Sequence, residues 1–284
     1  RAIQQEVDAG NIAGIVVAVA RHGQLVHNKA YGFADRENRQ PMTTEKLFRL
    51  YSMTKPITSV ALLTLYEQGL FQLTDPLDKY IPQFSDLKVF AGYDNSGNMI
   101  LEPLKRKPTI QDAFRHTAGL SGGLGNHAVD AIYREHGLMM FQLDSLSQEI
   151  EQLGKVPLRY QPGEQWVYGL NHDIQAYLVE VFSGMPFGEY LEEVIFEPLG
   201  MQDTMFGVPR NRANDFARVY QPNGDGGLQA EEEDRYARFT DHHFATLSLS
   251  SSTGDYLKFA RMLLGGGELD GVRILGRKTV EIMS

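Results

Sequence analysis

The stretch "RLYSMTKPITSVALLTLYEQG", residues 49–69, sets Ser52 three positions ahead of Lys55 at the mouth of an apolar run with helical spacing. Positions i and i+3 of a helix share one face, so this hydroxyl and this amine can touch. Contact lets the amine take the hydroxyl proton and turn the alcohol into a nucleophile, provided the lysine is uncharged for part of the cycle. Apolar surroundings or neighbouring cations favour that form. Bare S-x-x-K is short and common, and its plainer reading is a capping serine followed by a surface lysine. Two features favour chemistry: apolar residues flank the motif on both sides, and a serine at a helix start can hold an oxyanion with its own N–H and the helix dipole.

Other residues compete for the role. "GLSGG", Gly119–Gly123, fits the G-x-S-x-G elbow centred on Ser121. That elbow needs a strand before the serine and a helix after it. Here a helix-like segment precedes and glycines follow, so Ser121 is expected to be a loop residue near a pocket, not a nucleophile. His242 and His243 of "TDHHF" are adjacent on extended chain and point apart, which weakens both a Ser-His-Asp triad and a metal site. His116 is expected to make a structural hydrogen bond at a helix end. Tyr168, in "PGEQWVYGLNHDIQAYL", stands just before a helix, where a phenol can project from a turn into a cavity and shuttle a proton. Taken alone, a tyrosine two residues after Trp166 is more often packing.

The surrounding elements must hold these groups. Ile12 to Ala20 and Gln24 to Phe33 are β-branched and aromatic runs split by His22 and Gly23, a hairpin signal. The helix opened by Ser52 is expected to be mostly buried through Val60, Leu62, Leu63, Leu65 and Tyr66, with Pro56 in its first turn and Gly69 past its end. A second, exposed hairpin is expected around Asn95 to Gly97. Helical spacing recurs in "TIQDAFRH", from Val129 to Gly154, in "NHDIQAYLVEVFSG", in "FGEYLEEVIFEPLG" and in "STGDYLKFARMLLGGG", where Ser252 and Thr253 read as caps. "VYQPNGDGGLQAEEEDRYARF", with the acidic triplet Glu231 to Glu233, reads as a solvated loop.

The chain of 284 residues is 42% hydrophobic and 22% charged, enough for one large domain or two interleaved parts. A formal charge of -9 argues against nucleic acid or an anionic membrane surface as the main partner and favours small-molecule chemistry. With no cysteine there is no disulfide, thiol nucleophile or cysteine metal site. No stretch reaches the roughly 18 consecutive apolar residues a membrane span needs. Compartment is left open, with the cytoplasm slightly favoured over the periplasm, and so is oligomeric state. The terminal "GVRILGRKTVEIMS" stops as a helix starts, so a further carboxy-terminal segment is expected.

With "SMTK" opening a buried helix, "HTAGL" some sixty residues on, and then "PGEQWVYGLNHDIQAYLVEVFSG", the chain resembles the serine β-lactamase and penicillin-binding-protein-like hydrolases; "LSSSTGDYLKFARMLLGGGELDGVRIL" is similar to the helix before their final strands. The resemblance covers essentially the whole chain. It implies an α/β (α+β) β-lactamase-like fold over residues 1–284: an antiparallel sheet flanked by helices, begun by residues 1–50, with a helical region at about 51–265 and carboxy-terminal strands after Ser284.

Where class C β-lactamases and D-Ala-D-Ala peptidases have Tyr-x-Asn, this chain has Tyr168, Gly169 and Leu170, which removes an amide partner for a lactam or peptide. "YGLNHD" is instead similar to the Y-S-L-x-x-D form of the family VIII carboxylesterases, with Asp173 at the acidic position and Gly169 in place of serine. The resemblance implies Ser52 as acylated nucleophile, Lys55 and Tyr168 as proton-transfer pair, Trp166 and Leu170 at the substrate, no metal or cofactor, and a small ester as substrate. The alternatives it leaves are a β-lactamase or D-Ala-D-Ala peptidase, and an inactive binding relative. The family's third motif, Trp-Gly-Gly or Lys-Thr-Gly on an edge strand, and the second oxyanion N–H are expected after Ser284. Losing an oxyanion donor costs on the order of a hundredfold or more.

Overall fold

The computed structural model describes residues 1–138, 142–231, 239 and 243–283. His242, Glu232, Glu233 and Ser284 lie outside them. Helices are α1 (Ala2–Asp8), α2 (Thr54–Glu67), α3 (Ile110–Arg115), α4 (Ala128–Glu135), α5 (Leu146–Leu153), α6 (Asn171–Ser183), α7 (Phe187–Leu191), α8 (Glu197–Leu199), α9 (Thr253–Leu264) and α10 (Arg277–Met283). The strands before α3 are β1 (Gly14–Arg21), β2 (Gln24–Asp35), β3 (Gln40–Pro41), β4 (Leu47–Arg49), β5 (Lys88–Tyr93) and β6 (Met99–Pro103). Short strands follow: β7 (Met205–Phe206), β8 (Tyr220–Pro222), β9 (Leu228–Ala230), β10 (Leu249–Ser252), β11 (Glu268–Leu269) and β12 (Val272–Arg273). The described residues fall into two compact units, one drawn from 1–51, 192–241 and 248–284, the other from 52–191 and 242–247.

The first unit starts with the expected hairpin. His22 and Gly23 both have positive φ, 49° and 75°, which is the two-residue turn that matches the twist of antiparallel strands. β3 adds to β2, and α9 packs on β1. A second small sheet runs β4-β10-β7. Ser252 ends β10 and caps α9, its Oγ accepting the Asp255 N–H at 3.1 Å.

Two readings of this unit are corrected. The polar stretch from Val219 to Ala230 is not a solvated loop: β8 and β9 pair as a hairpin, and Asn223 Oδ1 accepts the Asp225 and Gly227 N–H groups at its tip. Three-residue strands are too short to show alternation, so turn chemistry was the only local signal. Ser252 caps the helix as expected, but no strand was foreseen in "LSSS", which is a buried central strand hidden because serine lacks the β-branched signature.

The second unit is built around α6. Ile57, Val60, Leu62 and Leu65 of α2 and Ile174, Leu178 and Val179 of α6 are buried, each such side chain contributing about 1.5–3 kcal/mol relative to exposure. Gln175 of α6 ties its neighbours together, accepting from Ser59 Oγ of α2 at 2.9 Å and donating to the Ala113 carbonyl of α3 at 3.2 Å. α3 begins with a capping box between Thr109 and Asp112, and Arg106 grips the Asp112 carboxylate with two bonds of 2.6 and 2.8 Å. Its end is therefore fixed, and His116 closes it in the left-handed conformation at φ 56°. β5 and β6 form the expected exposed hairpin. Among the described residues no helix is long and apolar enough to cross a membrane.

α5 brings Glu149 against α6. The side chain is buried, one carboxyl oxygen has no hydrogen-bond partner among the described residues, and burial with the nearby Asp173 charge pushes its pKa well above the ordinary carboxylate range. An acid whose folded pKa is raised stabilises the fold below its unfolded pKa and loses that contribution as pH rises through the folded value. Chemical denaturation followed from pH 4 to pH 9 is therefore expected to show wild-type stability falling with pH, and a Glu149→Gln variant to lose less over the same range.

Candidate active site

β4 leads into a 3₁₀ turn over Tyr51–Met53, which runs directly into α2. Ser52 thus sits just outside the α-helix that was expected to hold it. The i, i+3 spacing still brings Ser52 and Lys55 together. Ser52 is exposed and Lys55 buried, and Lys55 Nζ donates to Ser52 Oγ at 3.3 Å. The same amine donates to the Thr246 carbonyl at 2.6 Å and stands 4.8 Å from the centre of the Tyr168 ring. Tyr168 closes the group, its hydroxyl 2.6 Å from Ser52 Oγ. Residues 116 positions apart in sequence are thereby in direct hydrogen bond.

The segment carrying Tyr168 is held from two sides. The Val167 N–H donates to the His116 carbonyl at 2.9 Å, and the His116 ring stacks on Tyr168 with centroids 5.0 Å apart and planes 25° from parallel. On the other side lies the glycine-rich loop. A Cβ on Gly169 would come within 2.6 Å of the Ser121 backbone, and one on Gly122 within 3.2 Å of Gly169 Cα. Glycine at 169, where the resembled pattern has serine, is thus demanded by the close approach of two backbones. The helix entry consequently lacks a side-chain cap: Leu170 stands at that position and accepts no capping bond through its side chain.

Ser121 is buried, donates to the Asp130 carboxylate and accepts the Gly123 N–H at 3.1 Å. Its hydroxyl is spent inside the loop, a more ordered state than the flexible loop foreseen for it. Of the two residues expected to meet substrate, Trp166 is 64% exposed with its ring 6.1 Å from that of Tyr168, whereas Leu170 is 6% exposed. His243 lies close to α7, where its ring occupies the space a Cβ on Gly188 would need. Among the described residues no three His, Asp or Glu side chains gather in a way that could hold a metal ion.

The electrostatics follow from burial around an amine. Burial would raise the Tyr168 phenol, but hydrogen bonds from Lys55 and Ser52 and the Lys55 charge outweigh it, so its pKa lies below the ordinary 10. Burial, aided by the Lys55 charge, pushes His116 down to about 4. Its Nδ1 is 3.1 Å from the Asn171 amide nitrogen, the structural hydrogen bond expected of it. His172 is driven well below the ordinary histidine value by burial and by its neighbours His116 and Lys55. Sequence reasoning missed Thr246 altogether. It contributes a backbone carbonyl, which has no residue-type signature, and it follows a histidine pair that drew attention elsewhere.

An antiparallel sheet with flanking helices and a helical unit holding a serine, an amine and a phenol together defines an α+β protein of the β-lactamase fold. The chain belongs to the Beta-lactamase family, whose model matches residues 1–283. Esterase EstB of Burkholderia gladioli is 34% identical over 198 residues, 69% of this chain and 47% of EstB. Among solved structures, unliganded simvastatin synthase (LovD) from Aspergillus terreus superposes with a TM-score of 0.83 at 27% identity, covering 99% of this chain and 70% of that one. EstCE1, described as a hydrolase with promiscuous acyltransferase activity, gives 0.78 at 25% identity, over 98% of this chain and 73% of its own.

The tight backbone approach at Gly169 gives a direct test. Gly169→Ser is expected to force the Tyr168 segment or the Ser121 loop to move, with a stability loss of about 1–3 kcal/mol by analogy with overpacked cores. Thermal unfolding with intrinsic fluorescence of the single Trp166 reads both effects.

Proposed function

We propose that the protein is a serine hydrolase of short-chain carboxylic esters acting through a covalent acyl-serine, with Ser52 as nucleophile and Tyr168 and Lys55 as its proton-transfer pair. The observation that carries this reading is the meeting of Ser52 Oγ with Tyr168 OH at 2.6 Å and with Lys55 Nζ at 3.3 Å. The Tyr168 contact lies within the hydrogen-bond reach a general base needs, and the Lys55 contact is slightly longer.

In the first half-reaction Ser52 Oγ adds to the ester carbonyl carbon as its proton passes to the Tyr168 oxygen, whose phenolate form the Lys55 charge favours. The tetrahedral oxyanion is held by the Ser52 N–H at the helix mouth. Collapse breaks the bond to the alkoxide, which takes the proton back from Tyr168 and leaves as alcohol. Water then repeats the sequence against the acyl-serine, releasing the acid and restoring Ser52. Trp166 offers an apolar rim to the acyl or alcohol group. Leu170 gives no amide partner to a lactam or peptide, which favours esters over the β-lactamase or peptidase alternative.

EstB is named an esterase, and EstCE1 a hydrolase with acyltransferase activity, which supports an acyl-enzyme that different acceptors can discharge. Hydrolysis of p-nitrophenyl butyrate by the purified chain is expected to exceed turnover of nitrocefin by a wide margin. Ser52→Ala is expected to lower ester hydrolysis by at least about 1,000-fold, the scale of losing a catalytic nucleophile. Ser121→Ala is expected to stay within a few-fold of wild type. The reverse pattern in these two variants overturns the reading, and folded protein that takes up no fluorophosphonate favours an inactive binding relative.

Since the base form of Tyr168 becomes available at lower pH than for an ordinary phenol, kcat/KM is expected to rise with pH along a limb centred below 10. Tyr168→Phe should remove that limb together with most of the activity. Initial rates from pH 5 to pH 10 measure both.

A further inference from the structure

Ala245 and Thr246 lie between α6 and α2 within one unit, and side chains take all four of their backbone polar groups. Asp173, fully buried in the first turn of α6, accepts the Ala245 and Thr246 N–H groups on one carboxylate oxygen at 2.7 and 2.9 Å. Its other oxygen accepts the Thr246 hydroxyl. From the opposite side, Thr58 Oγ1 of α2 donates to the Ala245 carbonyl at 3.3 Å, and Lys55 Nζ, one turn earlier, donates to the Thr246 carbonyl at 2.6 Å.

We propose that Asp173 is a positioning residue for acylation: by gripping the Ala245–Thr246 strap it aims the Thr246 carbonyl at Lys55 and so sets the amine against Ser52. The inference rests on the acyl-serine reading of Ser52 and deepens it. A lysine side chain has four rotatable bonds, and the carbonyl at 2.6 Å is its closest hydrogen-bond partner, shorter than the 3.3 Å contact with Ser52 itself. Removing the acceptor's support therefore loosens the amine before it loosens the helix. Three donors converge on one buried carboxylate, the arrangement that lets a charge persist away from water. Burial raises the Asp173 carboxyl, while those bonds and the Lys55 charge oppose the rise. Glu149, the neighbouring buried acid, has one carboxyl oxygen with no such donor among the described residues, and burial together with the Asp173 charge raises it.

The test is the rate of fluorophosphonate labelling of Ser52 in wild type, Asp173→Asn, Thr246→Val and Thr246→Ser, alongside p-nitrophenyl butyrate kinetics and circular dichroism at the assay temperature. Thr246→Ser keeps the hydroxyl and is expected to label within about threefold of wild type. Asp173→Asn and Thr246→Val are expected to label at least tenfold more slowly while folded, with kcat lowered and KM within about twofold. A purely structural role would lower the unfolding temperature and leave the labelling rate of folded protein unchanged, and that result overturns the proposal. Should Asp173→Asn fail to fold, the Thr246 pair decides alone. Wild type that does not label at Ser52 sinks the acyl-serine reading itself, an outcome distinct from equal labelling of wild type and variants.

Discussion

The site depends on an amine held inside a helical unit by a backbone carbonyl. Lys55 is on the first turn of a helix most of whose residues are buried, so its polar end is cut off from water and must find a partner within the protein. An amine left unpaired there would cost several kcal/mol. The Thr246 carbonyl and the Ser52 hydroxyl meet that demand, and in meeting it they fix where the nitrogen lies. The same constraint tunes its surroundings: burial, aided by the Lys55 charge, lowers His116, and hydrogen bonds from Lys55 and Ser52, aided by that charge, lower the Tyr168 phenol against the opposing effect of burial.

α6 is the element that converts this local demand into a shared geometry. Its first turn carries Asn171 toward His116 and Asp173 toward Ala245 and Thr246, Gln175 in the next turn reaches α2 and α3, and Tyr168 lies three residues before its start. A shift of that helix would therefore disturb the phenol, the strap and the floor under Ser52 together. Helices packed to crystal-like density transmit such displacements instead of absorbing them. The cost of a polar network this deep is that each member must be satisfied, and Asn171 Oδ1 and His172 Nδ1, without a hydrogen-bond partner among the described residues, mark where that condition is strained.

How much of this could be read from the chain depends on the kind of signal each part leaves. The N-terminal hairpin, α2 and α6 were legible because their periodicity, turn residues and length agree at every level. Ser52, Lys55 and Tyr168 stood out through side-chain chemistry, and Gly169 as a departure from a pattern. Its cause was not legible, because it is a clash with the backbone of Ser121, forty-eight positions away, and no local rule anticipates that. Thr246 acts through its carbonyl, a group that every residue has. The β8–β9 hairpin and the serine-rich β10 escaped for a related reason: strands of three or four residues are fixed by their partners, not by their own propensities.

The fold by itself does not decide which acceptor discharges an acyl-serine. Proteins of this fold include ones named as an esterase, as a synthase and as a hydrolase with acyltransferase activity. The proton-transfer trio cannot be the discriminating feature under the proposed mechanism, because attack by water and attack by an alcohol both require one proton to pass to the same phenol. Discrimination must come from groups that touch the acceptor without taking its proton. Trp166, next but one to Tyr168, Met53, next to Ser52, and Leu124 of the Ser121 loop are exposed apolar side chains, while Leu170 is packed away. An apolar rim of this kind desolvates an approaching alcohol more readily than it orders a water molecule, so under the proposed mechanism the choice between hydrolysis and transfer would be set at the mouth of the site and not at its catalytic floor.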